Sequence, residues 1–303
     1  MIGKAKTGME TFEQKIIARR FIVTLECNPP KGGDLSPVLT RLAPFAGRID
    51  AINVTDSPMA KARMSAIAAS AVIERRTGIE TIFNFTCRDR NLIALHADLL
   101  GAHALDLRNV LCVTGDPTSL GDWKEARGVF EFNSGGLLKL VRALNAGTDH
   151  AGKALPAGGS MLFPGAVCCP SALSVETEIR ETVRKAEAGA CYFLSQPVFD
   201  APEARAFREA TLAAGVTAPI VFGVMPLKSL AFARYLDENV PGIRIPAPVL
   251  DRLSSVPESE AAAEGIRIAS GLARELGEFA AGVHIMPTGP LESAVAILDA
   301  LAR

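Results

Sequence analysis

Charge of one sign is missing from this chain of 303 residues: Lys and Arg number 32, Asp and Glu 33, for a formal net charge of -1. That balance argues against a strongly basic nucleic-acid binder. No run of about 18 apolar residues occurs, which argues against a membrane span. The first twenty residues carry Lys4, Lys6, Glu10, Glu13 and Lys15 and no apolar run of signal-peptide type, so a cytoplasmic protein is expected. The six cysteines (Cys27, Cys87, Cys112, Cys168, Cys169 and Cys191) include no Cys-x-x-Cys pair, and most lie in apolar strand-like runs. They read as buried free thiols rather than metal ligands. The four histidines, His96, His103, His150 and His284, show no metal spacing, and no metal is expected. His96 in a helical pattern and His284 in a strand run read as structural. Gly-x-Gly-x-x-Gly after a first strand, a Walker loop and a Gly-x-Ser-x-Gly elbow are all absent.

What is present is a rhythm. Short apolar runs rich in β-branched residues recur at 21–25, 49–54, 80–85, 109–113, 161–168, 191–194, 219–222 and 282–286. Such runs, bounded by turn residues, read as buried parallel strands. Helical patterns lie between them at 60–76, 90–100, 135–144, 174–188, 201–214, 227–238, 248–253, 258–276 and 291–301. Asp89 and Ser174 stand where helix caps belong, and Gly78, Gly101, Gly189 and Gly215 where helices should stop. Eight strands alternating with helices, in a chain that is 49% hydrophobic, predict an α/β fold: a single-domain (β/α)8 TIM barrel over 21–303 behind an N-terminal helical extension, 1–20. An open doubly wound sheet is the alternative.

Barrel enzymes work at the C-terminal ends of their strands. The first polar residues after each run are therefore the candidates: Glu26 and Asn28, Thr55 and Asp56, Asn84 with Arg88 and Asp89, Thr114 and Asp116, Cys169, and Gln196. Glu26 directly continues an apolar strand. Desolvation there favours the protonated carboxyl and suits a general acid, although a structural carboxylate reads equally well. Asp116 after Gly115 reads first as a turn residue. Arg184 and Lys185 read first as a solvated helix face.

Five segments in order then resemble the 5,10-methylenetetrahydrofolate reductase family: Leu25-Glu26-Cys27-Asn28-Pro29-Pro30, Val54-Thr55-Asp56-Ser57-Pro58, Cys87-Arg88-Asp89-Arg90-Asn91, Thr114-Gly115-Asp116-Pro117, and residues 188–200 around Ser195-Gln196-Pro197. The resemblance implies a barrel that binds FAD, or FMN, and reduces 5,10-methylenetetrahydrofolate to 5-methyltetrahydrofolate with NAD(P)H. The reverse direction, in one-carbon catabolism, is the variant of that reading. It makes Glu26 the catalytic acid that helps open the folate ring to an iminium, with Asp116 between flavin and folate and Gln196 on folate and nicotinamide in turn. Thr55, Asn84, Gly115, Asp116, Cys169, Glu178, Arg184 and Lys185 fall at flavin-contacting positions. Asn84 replaces a histidine common in the family, and Thr114 an arginine. Cys169 replaces a tyrosine, and Pro290 falls near a substrate-binding arginine. A homo-oligomer is expected, as is a link to methionine biosynthesis, with an electron-donor or methyltransferase partner in some members. The competing functions are a flavin-free folate-binding methyltransferase barrel and a non-catalytic electron-transfer or scaffold subunit.

Overall fold

A computed structural model describes residues 10–289 and 291–302; Pro290 lies outside the described residues. Eight parallel strands close in chain order: β1 (Ile22–Cys27), β2 (Ala51–Val54), β3 (Thr81–Thr86), β4 (Asn109–Val113), β5 (Phe163–Cys168), β6 (Tyr192–Pro197), β7 (Ile220–Val224) and β8 (Gly282–Ile285). β1 pairs with both β2 and β8, which removes the open sheet from consideration. The helices are α1 (Phe12–Ile17), α2 (Ser36–Leu42), α3 (Ala66–Thr77), α4 (Leu92–Ala104), α5 (Ser134–Asn145), α6 (Val175–Ala188), α7 (Ala201–Ala213), α8 (Leu230–Asn239), α9 (Ala247–Ser254), α10 (Glu258–Gly277) and α11 (Glu292–Leu301).

Side chains alternate across each strand. One set, including Leu25, Ile52, Val54, Phe83, Phe85, Phe193, Phe222, Val283 and Ile285, faces the helices and joins their apolar stripes in the main core. The other set fills the barrel. At its N-terminal end, Ile22, Ala51, Ile82, Leu111, Phe163, Tyr192, Leu194 and Val221 pack with Phe12 and Ile16 of α1. The Tyr192 ring stacks on Phe163 at 5.4 Å and takes Phe12 edge-on at 5.1 Å. Gly165 is needed there, because a Cβ would stand 2.3 Å from the Tyr192 ring. A capping box between Thr11 and Gln14 stabilises α1, and the Glu80 carboxylate accepts from the Phe12 N–H.

At the opposite end, the helices that follow β2 to β7 each begin on a polar cap. Ser65, Asn91, Asn133, Ser174, Asp200 and Ser229 accept from the backbone N–H three residues on. Ser174 caps as expected, but Asn91 caps α4 and Asp89 does not: its carboxylate instead grips Arg88. Gly101 also departs from expectation, since α4 runs through it to Ala104. The helical pattern at 60–76 yields a helix only from Ala66. Ser57, Met59 and Ala60 have φ of 46°, 54° and 54°, which breaks the helix into a short 3-10 turn first. α2 was not anticipated from its short Ser-Pro-Val-Leu pattern.

Candidate active site

Above its apolar floor the barrel interior turns polar. Two residues along from Ile22, Ala51, Ile82 and Gly282 stand Thr24, Asn53, Asn84 and His284. Asn53 Nδ2 donates to Asn84 Oδ1 at 2.6 Å and to the Ile82 carbonyl at 3.3 Å. Thr24 Oγ1 lies 2.8 Å from His284 Nδ1, with both residues buried. His284 Nε2 lies 3.9 Å from Glu26 Oε2, and the Glu26 side chain is 21% exposed. The catalytic candidate thus sits at the boundary between the packed barrel and the open mouth. One turn outward, Thr55 Oγ1 donates to Asn28 Oδ1 at 2.8 Å, joining the ends of β1 and β2.

The ends of β2, β3 and β4 are locked into one plate. Asp56 accepts from the Thr86 N–H and hydroxyl and from Arg90 at 2.6 Å. Arg88, only 2% exposed, spans Asp89 and the Ser57 carbonyl. Gly115 turns the chain with φ 97°, and a Cβ on it would stand 2.9 Å from Arg88 Cβ. Asp116 follows. Its carboxylate accepts from the Met59 N–H at 2.6 Å and so anchors the left-handed turn after β2. The functional and turn-forming readings of Asp116 are therefore compatible. Thr114 Oγ1 accepts from the Ser134 N–H at the start of α5.

Around β5, the Cys169 N–H donates to Glu178 at 3.1 Å, and Cys169 Sγ to the Gly242 carbonyl at 3.3 Å. Burial pushes the Cys169 thiol up to about 11, so it is uncharged at neutral pH. Lys185 Nζ lies 3.7 Å from Glu178 and donates to the Val167 carbonyl at 2.7 Å. Burial holds the Glu178 carboxyl above its ordinary range, although Lys185 and the Cys169 N–H oppose that. Arg184 does not join this cluster. It pairs with Glu181 and, with Lys185 and Lys139, lines a groove of about 480 Å³ beside Asn133–Gly136 at the start of α5.

Gln196 lies on β6, across the mouth, where the β6–β7 register slips between Leu194 and Pro197. A bulge of this kind re-aims a side chain. Ser195 stabilises it: its hydroxyl donates to the Gln196 carbonyl at 2.7 Å and accepts from the Gly223 N–H at 2.9 Å. Glu26, Thr55, Gly115, Asp116, Cys169 and Gln196 stand at the C-terminal ends of β1, β2, β4, β5 and β6, and Asn84 lies in the polar layer beneath them. In the sequence His284 reads as structural and Asp56 only as a strand-end polar residue, while Arg90 and Lys139 carry no role there. The signal for Asp56 and Arg90 was present, because both lie inside the quoted strand-end segments. His284 had no signal, because it sits within an apolar run. Among the described residues, no three metal-binding side chains converge and no helix is long and apolar enough to cross a membrane.

A closed parallel barrel with an acid and a row of amides at its C-terminal mouth is a (β/α)8 barrel of the kind that binds and transforms a small ligand there. The chain belongs to the methylenetetrahydrofolate reductase family, whose profile matches residues 11–302. It is 26% identical to methylenetetrahydrofolate reductase 1 of Schizosaccharomyces pombe over 201 residues, 65% of this chain and 30% of that protein. It is 25% identical to a probable NADPH-dependent methylenetetrahydrofolate reductase of Caenorhabditis elegans, over 66% of this chain and 28% of that one. The chain thus spans less than a third of these relatives' length. An uncharacterized Clostridium thermocellum protein that binds two copies of 5-methyl-5,6,7,8-tetrahydrofolic acid shares the fold, with TM-score 0.67 and 18% identity, over 94% of this chain and 97% of that one.

Proposed function

We propose that this barrel reduces 5,10-methylenetetrahydrofolate to 5-methyltetrahydrofolate with a bound flavin and NAD(P)H. The observation that carries the reading is Glu26, an acid at the inner edge of the mouth whose Oε2 lies 3.9 Å from Nε2 of the buried His284. In that setting a carboxyl gives its proton to a folate nitrogen with little competition from water, which opens the five-membered ring to the iminium. Asp116, fixed by the Met59 N–H, presents its second carboxylate oxygen to the pterin edge. Gln196, re-aimed by the bulge, offers both an amide donor and an acceptor.

The donor set fits a flavin nucleotide. Lys139, Arg184 and Lys185 line a groove at the N-terminus of α5 together with Glu181 and Glu187, and the helix N-terminus and the three cations would hold a diphosphate there. Thr55, Asn84 and Gly115, at or near the C-terminal ends of β2, β3 and β4, would meet the flavin ring. A flavin bound there would supply the two-electron chemistry of the reduction. Under this reading the ligands are tetrahydrofolates, the setting is cytoplasmic one-carbon metabolism, and the chain assembles as a homo-oligomer.

The test is an absorbance scan. The purified protein, or apoprotein given FAD or FMN, should be yellow, bleach with NADH or NADPH, and recover its colour with 5,10-methylenetetrahydrofolate. A protein that binds neither flavin but does bind 5-methyltetrahydrofolate would replace this reading with flavin-free methyl transfer.

A further inference from the structure

The buried pair Thr24 and His284 has no part in the mechanism so far, yet it lies directly beneath the acid. Both residues are almost completely buried, Thr24 at 0% and His284 at 3% exposure. Polar groups so placed are costly unless they are paired. Thr24 Oγ1 and His284 Nδ1 are paired with each other at 2.8 Å. A neutral imidazole has one N–H, and either ring nitrogen can carry it. If Nδ1 carried it, Nδ1 would donate to Thr24, and the buried threonine hydroxyl hydrogen would be left without an acceptor. If Thr24 donates to Nδ1, the threonine hydrogen has its acceptor, and the N–H lies on Nε2. Nε2 is the atom 3.9 Å from Glu26 Oε2.

We infer that Thr24 locks His284 as the Nε2–H tautomer, and that His284 is a positioning residue which holds the Glu26 carboxyl in the orientation its acid role requires. The inference rests on the proposed role of Glu26. The separation of 3.9 Å exceeds a direct hydrogen bond. Such contacts often tighten when the site fills. Around His284, β1 contributes Thr24 and Glu26, and β7 contributes Gly223 opposite its backbone. Glu26 is the one carboxylate within 4.0 Å of its ring nitrogens among the described residues. A donor on Nε2 stabilises the carboxylate left after proton transfer.

Two measurements test this. In the ligand-free protein, 15N NMR of the histidine ring should show His284 as the Nε2–H tautomer. Thr24→Ser should keep that pattern and Thr24→Val should lose it. An Nδ1–H ring in the unaltered protein would overturn the lock whatever the enzyme does. In the flavin-loaded protein, His284→Phe removes the donor, whereas His284→Gln keeps an N–H near the place of Nε2. Loss of a hydrogen bond to a charged group predicts about a tenfold fall in folate-dependent reoxidation for His284→Phe. The alkaline limb of its rate–pH profile should move up by about one pH unit, because the carboxylate has lost its donor. His284→Gln should restore most of the rate and return the limb, and flavin reduction by NAD(P)H should be the same in all three proteins. Identical pH profiles across them would overturn the positioning role while leaving Glu26 as the acid. If Glu26→Gln itself turned over folate normally, the proposed function would fall instead.

Discussion

At the N-terminal end of the barrel the interior is closed by Phe12, Phe163 and Tyr192 packed on Ile22, Ala51 and Ile82, while two residues beyond Ile22, Ala51, Ile82 and Gly282 it is lined by Thr24, Asn53, Asn84 and His284. On β1, β2, β3 and β8 the register is continuous, so one repeat of the pleat takes the lumen from apolar packing to hydrogen-bonded polar pairs. The lower end contributes apolar burial and stacked rings, which stabilise without specifying chemistry. The upper end pairs its polar groups with one another, so that they are satisfied before any ligand arrives. Glu26 is the exception. It sits above the paired ring, within ion-pair distance of His284 and partly open to the mouth. The two ends should therefore respond differently to mutation: the floor through stability, the mouth through turnover.

The largest expected effect separates them most clearly. Glu26→Gln is nearly isosteric and removes the transferable proton, so folate-dependent flavin reoxidation should fall by about a hundredfold to ten-thousandfold. Stopped-flow reduction by NAD(P)H and the urea midpoint should stay near wild type. Equal losses in both half-reactions would show that Glu26 supports the site's structure rather than its acid chemistry. Phe12→Ala is the mirror experiment. It empties the contact with Tyr192 and Phe163 and should cost about 3–5 kcal/mol in urea unfolding. Below the transition, its folate kinetics should be unchanged. A Phe12 variant that folds fully and yet loses turnover would mean that the floor and the mouth are coupled.

Gly115→Ala tests the plate formed by the ends of β2, β3 and β4. The backbone there has φ 97°, and an added Cβ meets Arg88 Cβ at 2.9 Å. Strain of this kind costs about 1–3 kcal/mol. Because Asp116 follows directly and holds the Met59 N–H, this substitution should lower both stability and folate turnover, unlike either of the first two. A loss of stability alone would place Asp116 outside the ligand's reach.

Much of this contrast was legible in the sequence. The eight strands could be read because a parallel strand buried on both faces needs an unbroken β-branched run, and Phe21-Ile22-Val23-Thr24-Leu25 or Pro219-Ile220-Val221-Phe222 can hardly be anything else. Glu26 could be read because the first polar residue after such a run lies at the mouth, whereas Asp116 and Gln196 stood out only through the family resemblance. His284 could not. Its partner Thr24 is 260 residues away, and the two meet only because β8 closes onto β1. The start of α3 was misread for a different reason. Alanine-rich sequence favours helix, but the turn after β2 is held in left-handed geometry by Asp116, a tertiary contact that local propensity does not contain.

The smallest predicted effect tests whether the β5 side of the mouth follows the same rule of polar groups paired in advance. Glu178 is held by the Cys169 N–H and faces Lys185, yet burial leaves its carboxyl above the ordinary value of 4.5. The folded carboxyl therefore binds its proton more tightly than the unfolded one. The sign follows: the contribution of Glu178 to stability is fully present below about pH 4.5 and declines as pH rises through the folded value. Glu178→Gln has no such titration. Measured by urea midpoints from pH 4 upward, the variant should gain on wild type across that window and then run parallel to it. The gain should be about 1 kcal/mol or less, since the carboxyl is only partly buried. A difference that stays flat from pH 4 to neutrality would mean that Lys185 fully compensates the buried charge, and that the two sides of the mouth are equally well paired.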